Sequence, residues 1–431
     1  MIPILYFLYD YVVLPLLYLF FWISSLFNEK IKKGLDARND LFEKLRTAKN
    51  ELDDSKITIW FHSSSMGEFE QAKPIIEGLR SKADVNIAVT FFSPSGYENS
   101  KNYKYADIVT YIPFDTKKNG REFQEILGPD VAIFMRYDIW PNIIMALHEK
   151  NIPSFLVDAT LSSDSLRQFL FLDAFHKHLY SHITKILTVS DSDRNNFLNF
   201  GLSGEQVKAV GDTRFDRVYQ KSLAAKDKKL FDDGIIEGKK VIVMGSSWEA
   251  DEEVMIPAVI KLMNEIKDIL LVIAPHEPTP ENISKLENRF TGTFEIRKFS
   301  QIKEYAGERV IVIDSIGILL SLYYYADITY VGGSFRQGIH NILEPAVYGV
   351  PVLYGPKHRN SQEAVALSEK GSGIVVKNIN EAYNELRKLL TDDELRSGLG
   401  KISKEFVSSY TGATDKIIEE ISLKMENRLR G

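Results

Sequence analysis

From Ile57 onward, short apolar runs alternate with amphipathic segments of helix length, and most of the runs are continuous rather than alternating apolar with polar. Continuous runs are what parallel strands covered on both faces require. A first series occupies 57–61, 85–92, 107–112, 130–135, 154–158, 185–190 and 207–211, and a second occupies 241–245, 269–274, 294–299, 309–314, 327–331, 351–355 and 373–377. Between the first two runs, Phe69, Ala72, Ile75, Ile76 and Leu79 repeat with the helical period. The charged stretch Gln220–Lys240 interrupts the alternation, and helical segments close the chain from about Glu381. The pattern predicts an α/β protein of two Rossmann-like domains, 31–219 and 241–431, facing each other across a cleft. Residues 220–240 are the expected linker, and 1–30 form a separate leading segment. Sheets of this kind bind ligands outside the carboxyl ends of their strands, so polar residues at those ends are where chemistry is expected.

The leading segment differs in kind. From Ile2 to Phe27 the only formal charge is Asp10, and YVVLPLLYLFFWISSLF follows it. About 20 helical residues cross a bilayer core of roughly 30 Å, so this stretch is long enough to span, while Asp10, Pro3 and Pro15 also fit a tilted or interfacial helix. No basic leader or small-residue cleavage site is evident, so the expectation is an uncleaved anchor. Lys30, Lys32 and Lys33 lie just after it and favour the cytoplasmic side. A net charge of −6 over 431 residues, without long like-charge blocks, argues against nucleic acid and toward small molecules or lipids. The absence of cysteine excludes disulfides, thiolate nucleophiles and cysteine-ligated metals.

Polar groups crowd several strand ends. Gly332-Gly333 lets the backbone turn and approach a ligand, and Ser334, Arg336, Gln337, His340 and Asn341 precede a helix expected to begin at Ile342 or Leu343. Such an N-terminus attracts phosphate, and Glu344 is placed to accept from ribose hydroxyls; Asn341 and Glu344 equally suit simple capping. Ser246-Ser247 and Pro275-His276 end two other strands of the second half, which suggests that this half holds a nucleotide. In the first half, HSSSMGE (62–68) leads from a strand into a helix. Glu68 is a candidate general base there, and Ser65–Glu68 is also a literal capping box. GDTRFDR (211–217) carries Arg214, suited either to an anionic ligand or to a solvated pair with aspartate. His176 and His178 face different sides of a helix, and HExxH, Walker A and GxSxG patterns are absent, so neither a metal site nor those reaction classes is indicated.

Taken in order, WFHSSSMGE, SPSG, YIPFD, DIWPN, GDTRFDRV, GSSWEADEE, APHEP, VGGSF, HNILEPA and GPKHRN resemble the 3-deoxy-D-manno-octulosonic acid (Kdo) transferases of Gram-negative bacteria. The resemblance covers essentially the whole chain. It implies a GT-B glycosyltransferase with an acceptor-binding first domain and a CMP-sugar-binding second one. Kdo would pass from CMP-Kdo to a lipid A precursor at the cytoplasmic face of the inner membrane, with no metal or other cofactor. It implies Glu68 as base, with Asp138 and Arg214 linked to transition-state stabilisation. CMP contacts would fall on Pro275 and His276, on Ile316, Gly317 and Ile318, and on Asn341, Ile342, Leu343 and Glu344, beside the strand-end residues Ser246, Ser247, Gly333 and Ser334. Three departures stand out: Arg136-Tyr137-Asp138 where many members carry two glutamates, Ala159-Thr160 where many carry an arginine after the alanine, and Ile339 where glycine is frequent. Alternatives are another envelope GT-B enzyme using a different nucleotide sugar, and a catalytically dead tethered binding module.

Overall fold

A computed structural model describes residues 2–429. Its core is two seven-stranded sheets in which every pairing is parallel. The first holds β1 (Thr58–Ser63), β2 (Asn86–Phe91), β3 (Ile108–Tyr111), β4 (Val131–Met135), β5 (Ser154–Ala159), β6 (Lys185–Thr188) and β7 (Val207–Ala209), in the order β3-β2-β1-β4-β5-β6-β7. The second holds β8 (Lys240–Ser247), β9 (Ile269–Pro275), β10 (Ile296–Lys298), β11 (Val310–Val312), β12 (Ile328–Val331), β13 (Val352–Tyr354) and β14 (Gly373–Val375), in the order β10-β11-β9-β8-β12-β13-β14. Each apolar run of the sequence overlaps one of these strands.

The continuous runs have the predicted cause. On β1, Ile59 and Phe61 join a core with Phe69, Ile75, Ile76 and Leu79 of the helix Met66–Lys82, while Trp60 joins another with Ile143, Ile144 and Leu147 of the helix Pro141–Glu149. Both faces are covered, so alternation would leave polar groups buried. In the second sheet Ile242, Met244, Leu271 and Tyr330 pack with Met255, Val259 and Leu262 of the helix Glu249–Glu265.

The domain limits differ from those expected. One compact unit runs to Arg217 and takes in the chain from Thr411 onward; the other is Val218–Tyr410. Much of the stretch expected as a linker is structured: the helix Thr213–Lys226 enters the second unit, and a short helix, Asp233–Ile236, follows. Charge and a break in the alternation predict a linker there, although the segment's alanines and lysines are good helix formers. The closing helix Ala413–Leu429 packs with Met66–Lys82 of the first unit, where Ile417, Ile418 and Ile421 join the core beside Ile75 and Ile76. Asp216 fixes this return by accepting from Gly412 N (2.6 Å), Thr414 N (2.7 Å) and Thr414 Oγ1 (2.7 Å).

The leading segment forms one helix of 24 residues, Ile2–Ser25, long and apolar enough to cross a membrane. A wide π turn at Tyr9–Val13 interrupts it, closed by Leu14 N donating to Tyr9 O. Pro15 follows immediately and lacks the N–H that a regular turn would use there.

Candidate functional site

β1 and β4 are neighbours, yet the helices that follow them pack into opposite cores. Chains that diverge in this way open a crevice at the carboxyl ends of their strands. Ser64–Glu68 borders it on one side and Arg136–Trp140 on the other. Ser65 caps the helix Met66–Lys82, its Oγ accepting from Glu68 N at 3.5 Å, and Glu68 Oε2 accepts from Ser65 N at 3.2 Å and Ser64 N at 2.6 Å. The capping box read from the sequence therefore exists, and it occupies one carboxylate oxygen. Oε1 accepts no hydrogen bond from the described residues. Burial, and next the charge of Asp138, raise the pKa of Glu68 above the ordinary carboxylate range, against the opposing pull of the two N–H groups and of His62. A carboxylate with one oxygen committed, the other open and its basicity raised is equipped to take a proton from a hydroxyl.

Asp138 is its partner in charge. Its Oδ2 accepts from His62 Nε2 at 2.6 Å, from Trp140 Nε1 at 3.2 Å and from Ser64 Oγ. Burial alone would raise this carboxyl, but the hydrogen bonds and the imidazole hold it below its usual value. On the far side of the ring, His62 Nδ1 lies 2.8 Å from Thr90 Oγ1, which itself accepts from Trp60 Nε1 at 2.8 Å. The Thr90 hydroxyl also lies 3.4 Å from Phe61 O as a donor, and the ionised Asp138 oxygen 2.6 Å from Nε2 draws a ring proton to that side. The sequence quoted His62 and Ser64 in their loop without assigning them a role; the structure brings both onto Asp138.

Arg214 pairs with an aspartate that is buried rather than solvated. Its Nε and Nη2 donate to Asp212 Oδ2 at 2.8 and 2.6 Å, and its backbone N donates to Asp212 Oδ1 at 2.8 Å. Beside this pair, Asp158 is fully buried and accepts from Thr213 N at 3.2 Å and from Thr213 Oγ1. Burial first and the charge of Asp212 second push its pKa up. Asp158 and Arg136 both hold left-handed backbone (φ 51° and 61°), and Ser246 does the same in the second unit (φ 52°). Non-glycine residues in this region store strain and tend to gather at functional sites. Nothing in the sequence singled out Asp158, because its significance comes from φ and burial.

In the second unit a cavity of about 490 Å3 opens at the carboxyl ends of β8 and β12, the neighbours whose chains diverge in that sheet. Its wall includes Lys221, Lys228, Ser246, His340, Asn341 and Glu344, with Gly317 and Tyr323 beside them. Glycine is required at the loop after β12: a Cβ on Gly332 would meet Ser246 O at 2.1 Å, and Gly333 has φ 93° with Gly338 O 2.3 Å from its would-be Cβ. Asn341 Nδ2 donates to Glu344 Oε1 at 3.2 Å, and burial, opposed by Lys221, raises the pKa of Glu344. The following helix is one turn, Leu343–Ala346. So short a helix has little macrodipole, and the cavity's positive charge comes instead from Lys221 and Lys228, which lie in the segment expected as a linker.

Of the expected nucleotide contacts, Ser246, Gly317, Asn341 and Glu344 line this cavity. Others serve the fold. Ser247 Oγ donates to Glu252 Oε1 at 3.0 Å, Ser334 Oγ accepts from Gly355 N at 2.5 Å, Gly333 N donates to Asp251 Oδ2 at 2.8 Å, and the side chains of Ile342 and Leu343 are buried in packing. Ile316 is 82% exposed, and neither it nor Ile318 lines the cavity. Pro275 closes β9, and His276 stacks over two rings that lie side by side, Trp248 at 4.5 Å and His340 at 4.4 Å, their own centroids 6.4 Å apart and their planes within 10°. Trp248 Nε1 donates to His340 Nε2 at 3.0 Å, so His276 reaches the cavity wall through His340. Trp248, Lys221 and Lys228 carry no binding role in the sequence reading, and the ring stack and the cavity single them out beside His340.

Comparison with known proteins agrees with this architecture. A family model described as 3-deoxy-D-manno-octulosonic-acid transferase (kdotransferase) matches residues 36–217. The chain is 28% identical over 79% of its length to a bifunctional glycosyltransferase/methyltransferase of Fusobacterium nucleatum, and this match spans 54% of that larger protein. It is 29% identical to the 3-deoxy-D-manno-octulosonic acid transferase of Aquifex aeolicus, over 80% of the chain and 89% of that protein. With the Haemophilus influenzae transferase it shares 25% identity over 86% of the chain and 88% of the relative. Among solved structures, the UDP-GlcNAc 2-epimerase of Neisseria meningitidis superposes with a TM-score of 0.61 at 15% identity, covering 85% of this chain and 100% of that one. The putative UDP-N-acetylglucosamine 2-epimerase of Listeria monocytogenes gives 0.60 at 14% identity, covering 86% and 97%. These likenesses show the fold, GT-B-like with two parallel-sheet domains. With the family model over residues 36–217 and two transferases aligned over 80% and 86% of its length, the chain is similar in sequence to the 3-deoxy-D-manno-octulosonic acid transferases.

Proposed function

We propose that this protein transfers Kdo from CMP-Kdo to a lipid A precursor in lipopolysaccharide synthesis, with its N-terminal helix holding it to the cytoplasmic face of the inner membrane. One observation carries the reading: in a chain similar to these transferases, Glu68 stands at the β1–β4 divergence with one oxygen free of donors among the described residues and its basicity raised. In this reading Glu68 Oε1 takes the proton from a primary hydroxyl of the lipid-linked glucosamine. The hydroxyl oxygen bonds to the anomeric carbon of Kdo as the bond to the CMP phosphate breaks, and the electron pair leaves with CMP in one inverting displacement. Asp138, fixed as an anion by His62, Ser64 and Trp140, favours the positive charge that develops on the sugar. Asn341 and Glu344 suit the ribose hydroxyls, and Lys221 and Lys228 the phosphate. Arg214, oriented by Asp212 through Nε and Nη2, is assigned with the lysines to the leaving charge. The reading needs no metal.

Incubation of the protein with a tetraacyl lipid A precursor and a panel of activated sugars, read by mass spectrometry, tests it. The expected product carries Kdo, forms unchanged in the presence of EDTA, and is lost in Glu68→Gln. A fully active Glu68→Gln variant would sink the assignment of the base. Transfer of a different sugar would replace the donor, and CMP binding without any transfer would leave a tethered binding module.

A further inference from the structure

The N-terminal helix is tied to the first unit by polar groups in its middle, where a membrane-spanning helix would meet hydrocarbon. Tyr9 Oη donates to Asp115 Oδ2 at 2.8 Å, and Asp115 is fully buried, accepting also from Asn142 N at 3.0 Å and Ile143 N at 2.9 Å. Asn142 Nδ2 donates to Asp10 Oδ1 at 2.7 Å, and Lys117 Nζ lies 2.9 Å from Asp10 Oδ2. Aromatic contacts continue this seam toward both ends of the helix. Tyr6 meets Phe175 edge-on at 5.2 Å, Tyr18 meets Phe114 at 5.3 Å and Phe21 meets Phe92 at 5.3 Å. The seam therefore runs from Tyr6 to Phe21, most of the helix.

A second stripe points away from the unit. Ile4, Phe7, Tyr11, Leu16, Phe20 and Ile23 recur at three- to five-residue spacing and are exposed, Tyr11 by 68% and Phe20 by 61%. The next helix, Glu29–Asp36, carries Lys30, Lys32 and Lys33 with exposed side chains. An apolar stripe ending in a basic cluster matches the acyl boundary and anionic headgroups of a lipid leaflet.

We infer that the helix lies along one leaflet, clamped to the domain through Tyr9, Asp10, Asp115, Asn142 and Lys117, and does not cross the bilayer. Crossing would either carry the Asp10–Lys117 pair and the buried Asp115 into hydrocarbon or break every contact of the seam, and charged groups at that depth are strongly disfavoured. The π turn at Tyr9–Val13 contributes by widening the helix where both polar side chains meet the domain. This inference rests on the anchor reading above and adds the position of the anchor.

Because the chain has no cysteine, single thiols report topology without a background. Pro3→Cys marks the start of the helix and Glu51→Cys marks the body of the unit; both positions are exposed. Each is expressed in full-length protein in a bacterium and treated with a membrane-impermeant maleimide, in intact spheroplasts and in inverted vesicles. The expected result is membrane-bound protein in which Glu51→Cys reacts only in inverted vesicles, and Pro3→Cys reacts either there or only after detergent is added. Reaction of Pro3→Cys in intact spheroplasts, with Glu51→Cys silent there, would show a spanning helix and overturn the inference while leaving the anchor reading standing. Protein recovered in the soluble fraction would overturn the anchor reading and this inference together.

Discussion

His62 Nε2 and Asp138 Oδ2 lie 2.6 Å apart, joining the carboxyl ends of β1 and β4 where their following helices part. The contact keeps Asp138 ionised, and the charge of Asp138 in turn raises the pKa of Glu68. Burial contributes most to the raised pKa of the proposed base, and a further part is set from across the crevice.

That coupling has a signed consequence. Transfer should fall as pH drops through the raised pKa of Glu68, since only its ionised form accepts a proton. Asp138→Asn removes the neighbouring charge, so the acid limb of its rate profile should move to lower pH even as kcat falls by about 10²-fold or more. A profile whose acid limb stays in place would show that Asp138 does not govern Glu68.

Capping and catalysis at Glu68 can be separated by substitution. Glutamine also completes a capping box, so Glu68→Gln should melt within about 0.5 kcal/mol of the parent, whereas Glu68→Ala should lose about 1 kcal/mol. Both should lose about 10²- to 10⁴-fold in rate. Thermal melts beside single-turnover transfer assays make the comparison, and a Gln variant as unstable as the Ala variant would contradict the capping account.

Asp115 links stability to pH. Burial raises its pKa to about 7 in the folded protein, despite three donors, while an unfolded aspartate titrates near about 3.9. Between those values the folded state holds a proton that the unfolded state has released, so this group's contribution is full below about pH 4 and is lost as pH rises through about 7. The slope is at most about 1.4 kcal/mol per pH unit. Asp115→Asn, unable to accept from Tyr9, Asn142 and Ile143 together, should be most destabilised relative to the parent at acid pH, with the gap narrowing toward neutrality. Urea unfolding of both proteins across that range measures the gap, and a constant difference would refute the linkage.

Two polar residues near the cavity should behave oppositely. Lys221 lines it, so Lys221→Ala should weaken CMP binding about tenfold in calorimetry, about 1.4 kcal/mol. Ser334 Oγ accepts from Gly355 N in the interior, so Ser334→Ala should cost about 1–2 kcal/mol of stability and leave CMP affinity unchanged.

The strands were legible because a buried parallel strand must be apolar on both sides, and that demand is written in consecutive residues such as Val131–Met135 or Ile269–Ala274. The Ser65–Glu68 cap and the glycines at 332 and 333 were legible for the same reason, being local requirements of a helix end and a tight turn. Lys221 and Lys228 were hidden in a charged segment whose composition suited a linker as well as a helix. Asp158 and His62 were hidden because burial, a left-handed φ and a partner 76 residues away leave no local mark. Ser247 and Ser334 were read as ligand groups because a serine after a strand looks the same whether it faces a cavity or a backbone N–H.

By itself the sequence determined which segments become strands and helices, the two-sheet α/β class and the place of the candidate base, since each follows from propensity and hydrophobic period within a few residues. Tertiary structure decided which unit each segment joins, sending the last helix back to the first sheet through Asp216 and the charged segment into the second unit. It also decided which polar residues meet, because contacts such as His62 with Asp138 or Tyr9 with Asp115 depend on how distant elements pack, and no local pattern encodes that distance.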